Sequence, residues 1–169
     1  MEDEYLDVVD EKDQVIGKEL RSTLVASGKG NYRVVNIFIL NSNGKVLLPK
    51  RDSTKSAFPN CYDFSCGEHV QVGESYEDAA KRGLKEELNL EGIEIKEIGY
   101  FNPKDGVSSF MKVFRVVYDQ EINANKKEGV ESLQFLPVEE IRKMSEENPK
   151  LFKDDIPTVI DLLKDKLKW

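Results

Sequence analysis

Two rhythms of apolar and polar residues run along this chain, and each predicts its own kind of element. Short apolar, often β-branched runs predict strands at Tyr5–Val9 (YLDVV), Arg33–Leu40 (RVVNIFIL), Lys45–Lys50 (KVLLPK), Ile93–Phe101, Val107–Tyr118 and Ser132–Leu136. Asn41-Ser42-Asn43-Gly44 is a turn, because Asn and Gly tolerate positive φ, and it makes a hairpin of the runs on either side. Pro49 has no N–H to give, so Lys45–Lys50 belongs at an edge or ends there. Asp10–Gln14 reads as a polar turn, and Arg51–Tyr62, with its Pro, Ser and Asn, as an ordered loop. The helical rhythm is clearest over Ser75–Leu88. Ser75 is placed to cap the N-terminus, acidic residues fill the first turn, and Asn89 closes the helix. Val138–Met144 and Ile156–Leu167 are further helices, the second with Pro157 near its start. Strands mixed with helices, without repeat or linker, predict an α/β layer fold.

Composition narrows the class. A chain of 169 residues with 39% hydrophobic content suits a single domain spanning 1–169. Lys and Arg number 25 against 32 Asp and Glu, a net charge of −7, which argues against a nucleic-acid polymer as partner. Two cysteines make no disulfide framework, so a reducing, cytoplasmic setting is expected. The acidic opening MEDEYLDVVDEKD is unlike a signal peptide. No apolar run approaches the ~20 residues of a membrane span, so no membrane partner is expected. Pairing of Tyr5–Val9 between two copies is one route to a homodimer.

The helix over Ser75–Leu88 carries an anomaly. At roughly 100° per residue, Tyr76, Ala79, Ala80, Gly83, Leu84 and Leu88 share one arc. Glu87 falls inside that apolar arc and Glu86 flanks its edge. A core-facing carboxylate costs about several kcal/mol unless it is paired or binds a cation, and two adjacent carboxylates also repel. A divalent ion answers both problems, and hard oxygen ligands favour Mg2+ or Mn2+. Pairing of Glu87 with Arg82 or another base is the alternative, and the wheel leaves both open.

The spacing of Cys66–Leu90 (CGEHVQVGESYEDAAKRGLKEELNL) resembles the Nudix box: Gly, five residues, Glu, seven residues, then Arg-Glu-apolar-x-Glu-Glu-x-Gly-apolar. Glu74 matches the first Glu, Arg82 the Arg, Leu84 the apolar place, Glu86 and Glu87 the paired glutamates, and Leu90 the last apolar position. The segments YLDVVDEKDQVIG, RVVNIFILNSNGKVLLPKR, DSTKSAFPNCYD and SSF (Ser108–Phe110) extend the likeness over about residues 4–140 to Nudix proteins related to isopentenyl diphosphate isomerase. The resemblance implies an α/β/α sandwich around a mixed sheet. It implies hydrolysis of a diphosphate linkage in a nucleoside diphosphate or its derivative, with water attacking phosphorus. Mg2+ would be held by the box glutamates, and the partner is a small phosphorylated substrate. It also implies that Arg51 and Lys55 hold a diphosphate, and that Glu74 and Arg82 form a structural ion pair.

Three box positions depart from the pattern. Glu68 stands at the first Gly, Gly83 at the Glu after Arg82, and Asn89 at the late Gly. Asn89 is a mild change, since Asn terminates helices in the left-handed region. Gly83 removes a carboxylate that in the family serves as metal ligand or general base. Glu68, on a loop that in the family approaches this part of the helix, is expected to supply the missing carboxylate, with Gly83 leaving it space. Glu68, Glu86 and Glu87 are therefore the expected catalytic and metal-holding set. His69 matches a metal-binding histidine of the isomerase, but Cys66 lies one place before the isomerase's cysteine position, where this chain has Gly67. Cys61 matches no role, and Glu128 and Glu131 are positional candidates for a further carboxylate. Two other functions stay open: a Nudix module that binds without turnover, for which Gly83 speaks, and isomerisation, against which the single His and displaced Cys speak.

Overall fold

The computed structural model describes residues 2–167. The chain runs β1 (Tyr5–Val9), β2 (Val15–Leu20), α1 (Arg21–Ser27), β3 (Arg33–Leu40), β4 (Lys45–Arg51), β5 (Cys66–His69), α2 (Tyr76–Leu88), β6 (Lys96–Phe101), β7 (Phe110–Val117), β8 (Val130–Pro137), α3 (Val138–Glu147) and α4 (Ile156–Leu162). β1 and β2 form a separate hairpin. The other strands make a mixed sheet in the order β6-β7-β3-β4-β8, with β5 added to β3. β3 runs parallel to β7 and antiparallel to β4 and β5.

β3 is nearly all apolar because both faces of the sheet are covered. Val35, Ile37 and Ile39 pack against Ala79, Ala80, Leu84 and Leu88 of α2. Phe38 and Leu40 belong to the opposite layer, with Val138 and Ile141 of α3 and Ile156, Val159 and Ile160 of α4. This is the expected α/β/α sandwich.

β3 and β4 pair at Leu40–Val46 and then splay. In the gap Ser65, fully buried, takes the place of a ladder bond: its hydroxyl accepts from the Ile39 N–H (2.9 Å) and donates to the Leu47 carbonyl (2.6 Å). Ser65→Ala is expected to cost about 1–3 kcal/mol in chemical denaturation, because two buried backbone groups lose their partner. The splay also explains Pro49. β4 is an inner strand, between β3 and β8, but the Pro49 carbonyl accepts from the Asp63 N–H at 2.9 Å, so its nitrogen faces the gap and no β8 bond is lost.

Several boundaries differ from the sequence pattern. β2 (VIGKEL) has no apolar alternation, since it pairs with β1 alone and its first four residues are exposed. α1 and β5 are too short for a periodic signal. α4 stops at Leu162, although Leu163 and Leu167 continue into the core through turns. β1 is occupied within the chain, by β2 on one side and by Gln71 through Leu6 on the other, which removes it as a free strand for pairing two copies.

Candidate active site

α2 starts and ends as its residues dictate. The Ser75 hydroxyl accepts from the Asp78 N–H at 3.1 Å, and Asn89 adopts φ +56° to turn the chain out of the helix. Between these caps, Arg82 ties the helix to β5 and to the loop joining them. Its Nε donates to Glu74 Oε1 (2.9 Å), and its Nη2 to Glu74 Oε2 (3.1 Å) and the His69 carbonyl (2.9 Å). Glu74 Oε2 also accepts from the Gln71 N–H at 3.0 Å. Glu74 and Arg82 are thus the expected ion pair, in a two-pronged geometry that fixes the loop. The remaining nitrogen, Nη1, reaches Glu68 at 3.2 Å and Glu86 at 3.3 Å.

Glu68 projects from β5 under the middle of α2, into the space that Gly83 leaves. A Cβ at Gly83 would stand 2.5 Å from Glu68 Cγ and 3.1 Å from Cys66 Sγ. One turn further along the helix lies Glu87, close enough to Glu68 for each to act on the other's acidity. Burial pushes the Glu87 acid well above the usual carboxylate range, and the charges of Glu68 and Asp63 push it further. Burial also raises Glu68, against the pull of Arg82. Glu86 is different: its side chain is 54% exposed and turned to Arg82. Among the described residues no three acidic, His or Cys side chains are gathered as a ready cation site. Two of the three candidate ligands are together, and the third is held aside by an exposed pair of the kind that contributes little. An all-oxygen donor set with two neighbouring half-buried acids fits a hard divalent ion.

The turn before β8 completes this side of the site. The Asn125 N–H donates to the Glu87 carbonyl (2.7 Å) and its amide to the Glu86 carbonyl (3.3 Å), so the turn rides on the last coil of α2. It brings the negative charge of Glu128 to bear on Glu87. Glu131 is directed elsewhere, to Lys50 at 3.1 Å.

Arg51 ends β4, and Lys55 lies on the loop after it. Arg51 donates from Nε and Nη2 to the carbonyls of Ala57 and Phe58, and from Nη1 to Asp63 at 2.8 Å. Most of its guanidinium therefore shapes the loop. Lys55 crosses Gly129, where a Cβ would meet its Cε at 2.5 Å, so its ammonium sits beside the turn that carries Glu128. Asp63 was not singled out by the sequence, yet its charge acts on both Glu87 and Cys66, and Lys153 lies 3.6 Å from it. It sits in an irregular stretch without periodicity, where no spacing marks it.

Cys66 is buried against Gly83, and its thiol is pushed up by burial and by Glu87. Cys61 donates weakly to the Lys150 carbonyl. The His69 ring stacks on Tyr32 (5.7 Å between centroids), and burial lowers its pKa from 6.5 to about 3. The folded chain thus keeps His69 neutral where the unfolded chain takes a proton. Stability from this residue is full above pH 6.5 and is lost as pH falls from 6.5 toward 3. His69→Phe is expected to flatten that part of the stability–pH curve, as followed by thermal unfolding.

Residues 30–155 match the family model of the Nudix domain. An uncharacterised Nudix hydrolase of Nostoc is 42% identical over 162 residues, covering 94% of this chain and 95% of the relative. A Nudix hydrolase of Deinococcus radiodurans is 42% identical over 120 residues, 69% of this chain and 70% of its own. The crystal structure of DR0079 from Deinococcus radiodurans superposes with a TM-score of 0.87 at 34% identity, over 94% of this chain and 98% of that one. The chain belongs to the Nudix family, and its class is that of hydrolases acting on pyrophosphate bonds. No helix among the described residues is long and apolar enough to cross a membrane.

Proposed function

We propose that the chain hydrolyses the diphosphate linkage of a nucleoside diphosphate, or of a derivative of one, with Mg2+ or Mn2+ held by Glu68, Glu86 and Glu87. The observation that carries this reading is Glu68 set into the space left by Gly83, one turn before Glu87, with Arg82 Nη1 reaching both Glu68 (3.2 Å) and Glu86 (3.3 Å). A bound ion there would neutralise phosphoryl charge and orient water for attack on phosphorus. Arg82 and Glu74 hold β5 and α2 in register so that the acids stay opposed. Lys55 presents its ammonium to the phosphoryl oxygens, and Arg51 holds the loop that carries it. The water oxygen bonds to phosphorus, the bridging P–O bond breaks, and two phosphorylated products leave with a released proton. The partner is a small phosphorylated molecule. Two free cysteines suit a cytoplasmic setting.

Gly83 favours a second reading, a module that binds such ligands without turnover, since one box carboxylate is missing from the helix. The isomerase reading is weakened by Cys66, whose thiol lies buried against α2. Phosphorus NMR of nucleoside diphosphates, nucleotide sugars and oxidised nucleotides separates the first two. The hydrolase yields new phosphate resonances with Mg2+ and none with EDTA; intact ligands that nevertheless bind would mark the module.

A further inference from the structure

The β1–β2 hairpin lies before residue 30, outside the stretch that matches the Nudix model, yet many of its bonds to the rest of the chain fall on the loop and helix start between Glu68 and Glu87. Three consecutive loop residues are each held by it. The Gln71 amide donates to Glu4 Oε2 (2.9 Å), the Val72 N–H to the Tyr5 carbonyl (3.2 Å), and the Gly73 N–H to Asp7 Oδ2 (3.1 Å). Asp7 is a carboxylate with only 7% exposure, a costly placement unless its bonds serve a purpose. At the other end, the hairpin tip places Asp13 at φ +60°. There its carboxylate accepts from Arg33 Nε (2.6 Å), Tyr76 Oη (2.9 Å) and Tyr100 Oη (3.0 Å). Tyr76 is the first residue of α2. Leu6, fully buried with Leu24 and Tyr32, anchors the hairpin from below.

We infer that this hairpin is a brace for the metal site. It pins the loop after Glu68 and the first turn of the helix that carries Glu86 and Glu87, and so sets the separation of the carboxylates. Asp7 and Asp13 are positioning residues, acting through Gly73 and Tyr76, and touch neither ion nor substrate. The inference rests on the metal-holding role proposed above, and it concerns how far those ligands can drift when the brace is released.

Two comparisons test it. In the first, Asp7→Ala is expected to weaken Mn2+ binding, read by electron paramagnetic resonance, by about tenfold, the range of losses seen when supports of metal ligands are removed. At saturating nucleotide kcat falls while KM holds, and Asp7→Asn, which keeps an acceptor oxygen for Gly73, recovers most of both. In the second, Tyr76→Phe and Tyr100→Phe each remove one hydroxyl from the same Asp13 oxygen. Tyr76→Phe releases the box helix and is expected to weaken Mn2+ binding; Tyr100→Phe, which releases only β6, is expected not to. Amide hydrogen exchange at residues 71–74 reads the brace whether or not an ion binds, and Asp7→Ala is expected to speed it selectively relative to α3. Absence of Mn2+ affinity in the unaltered chain counts against the hydrolase reading, and exchange then decides the brace alone. Unchanged exchange at 71–74 in Asp7→Ala, or equal effects of the two tyrosine variants on Mn2+ affinity, overturns the inference.

Discussion

Glu87→Gln is expected to lower turnover by at least about 10²-fold and, at the same time, to raise the melting temperature of the metal-free protein. Both effects come from one placement. Glu87 is set on the apolar stripe of α2, against Glu68 and within the field of Asp63, where burial and like charge raise the free energy of its ionised form. Glutamine has nearly the same shape and carries no charge, so folding no longer has to protonate a carboxyl that the unfolded chain holds ionised. The proposed metal site loses an anionic ligand in the same step. Supports of metal ligands are worth 10–100-fold, and a ligand itself is worth more, which sets the expected loss. Gain of stability with loss of function is the usual signature of a strained working residue. Calorimetry with EDTA and phosphorus NMR with Mg2+ measure the two sides. A Glu87→Gln protein that melts lower and works normally would place Glu87 in an ordinary structural role.

Gly83→Glu gives position 83 the glutamate that the box resemblance expects there and is nevertheless expected to damage the protein. The new Cβ would stand 2.5 Å from Glu68 Cγ, and the rest of the side chain would extend into the space that Glu68 occupies. Overpacking of this kind costs about 1–3 kcal/mol, and a further negative charge beside Glu68 and Glu87 adds to it. Adding Glu68→Gly empties the space. The double variant then has the box arrangement with its carboxylate on the helix, and is expected to recover stability and metal-dependent turnover relative to Gly83→Glu alone. Such strong non-additivity is the mark of two residues sharing one location. Equal damage in the single and double variants would show that positions 68 and 83 do not exchange roles.

How much of this could be read beforehand depends on whether a signal repeats. α2 has a period, two caps and a spaced set of charged residues, so its limits and the inward turn of Glu87 follow from the sequence. The sandwich follows too, because an apolar run such as Arg33–Leu40 must be covered on both faces. Glu68 and Gly83 stand out as paired departures from a pattern, and the fold brings them into contact. Arg51 shows the limit: its charge is visible in sequence, but its commitment to Ala57, Phe58 and Asp63 depends on how an aperiodic loop closes. Asp63 and the hairpin bonds of Asp7 and Asp13 are contacts between distant segments, and no local rule marks such residues. The β5 strand is four residues long and half polar, too short for an alternation to be seen.

A crystal soaked in Mn2+ and examined by anomalous diffraction tests the central claim most directly. The account predicts a single anomalous peak bounded by the carboxylates of Glu68 and Glu87, with Glu86 swung away from Arg82 toward it. No peak at that place, with Glu86 still on Arg82 at saturating Mn2+, would contradict it.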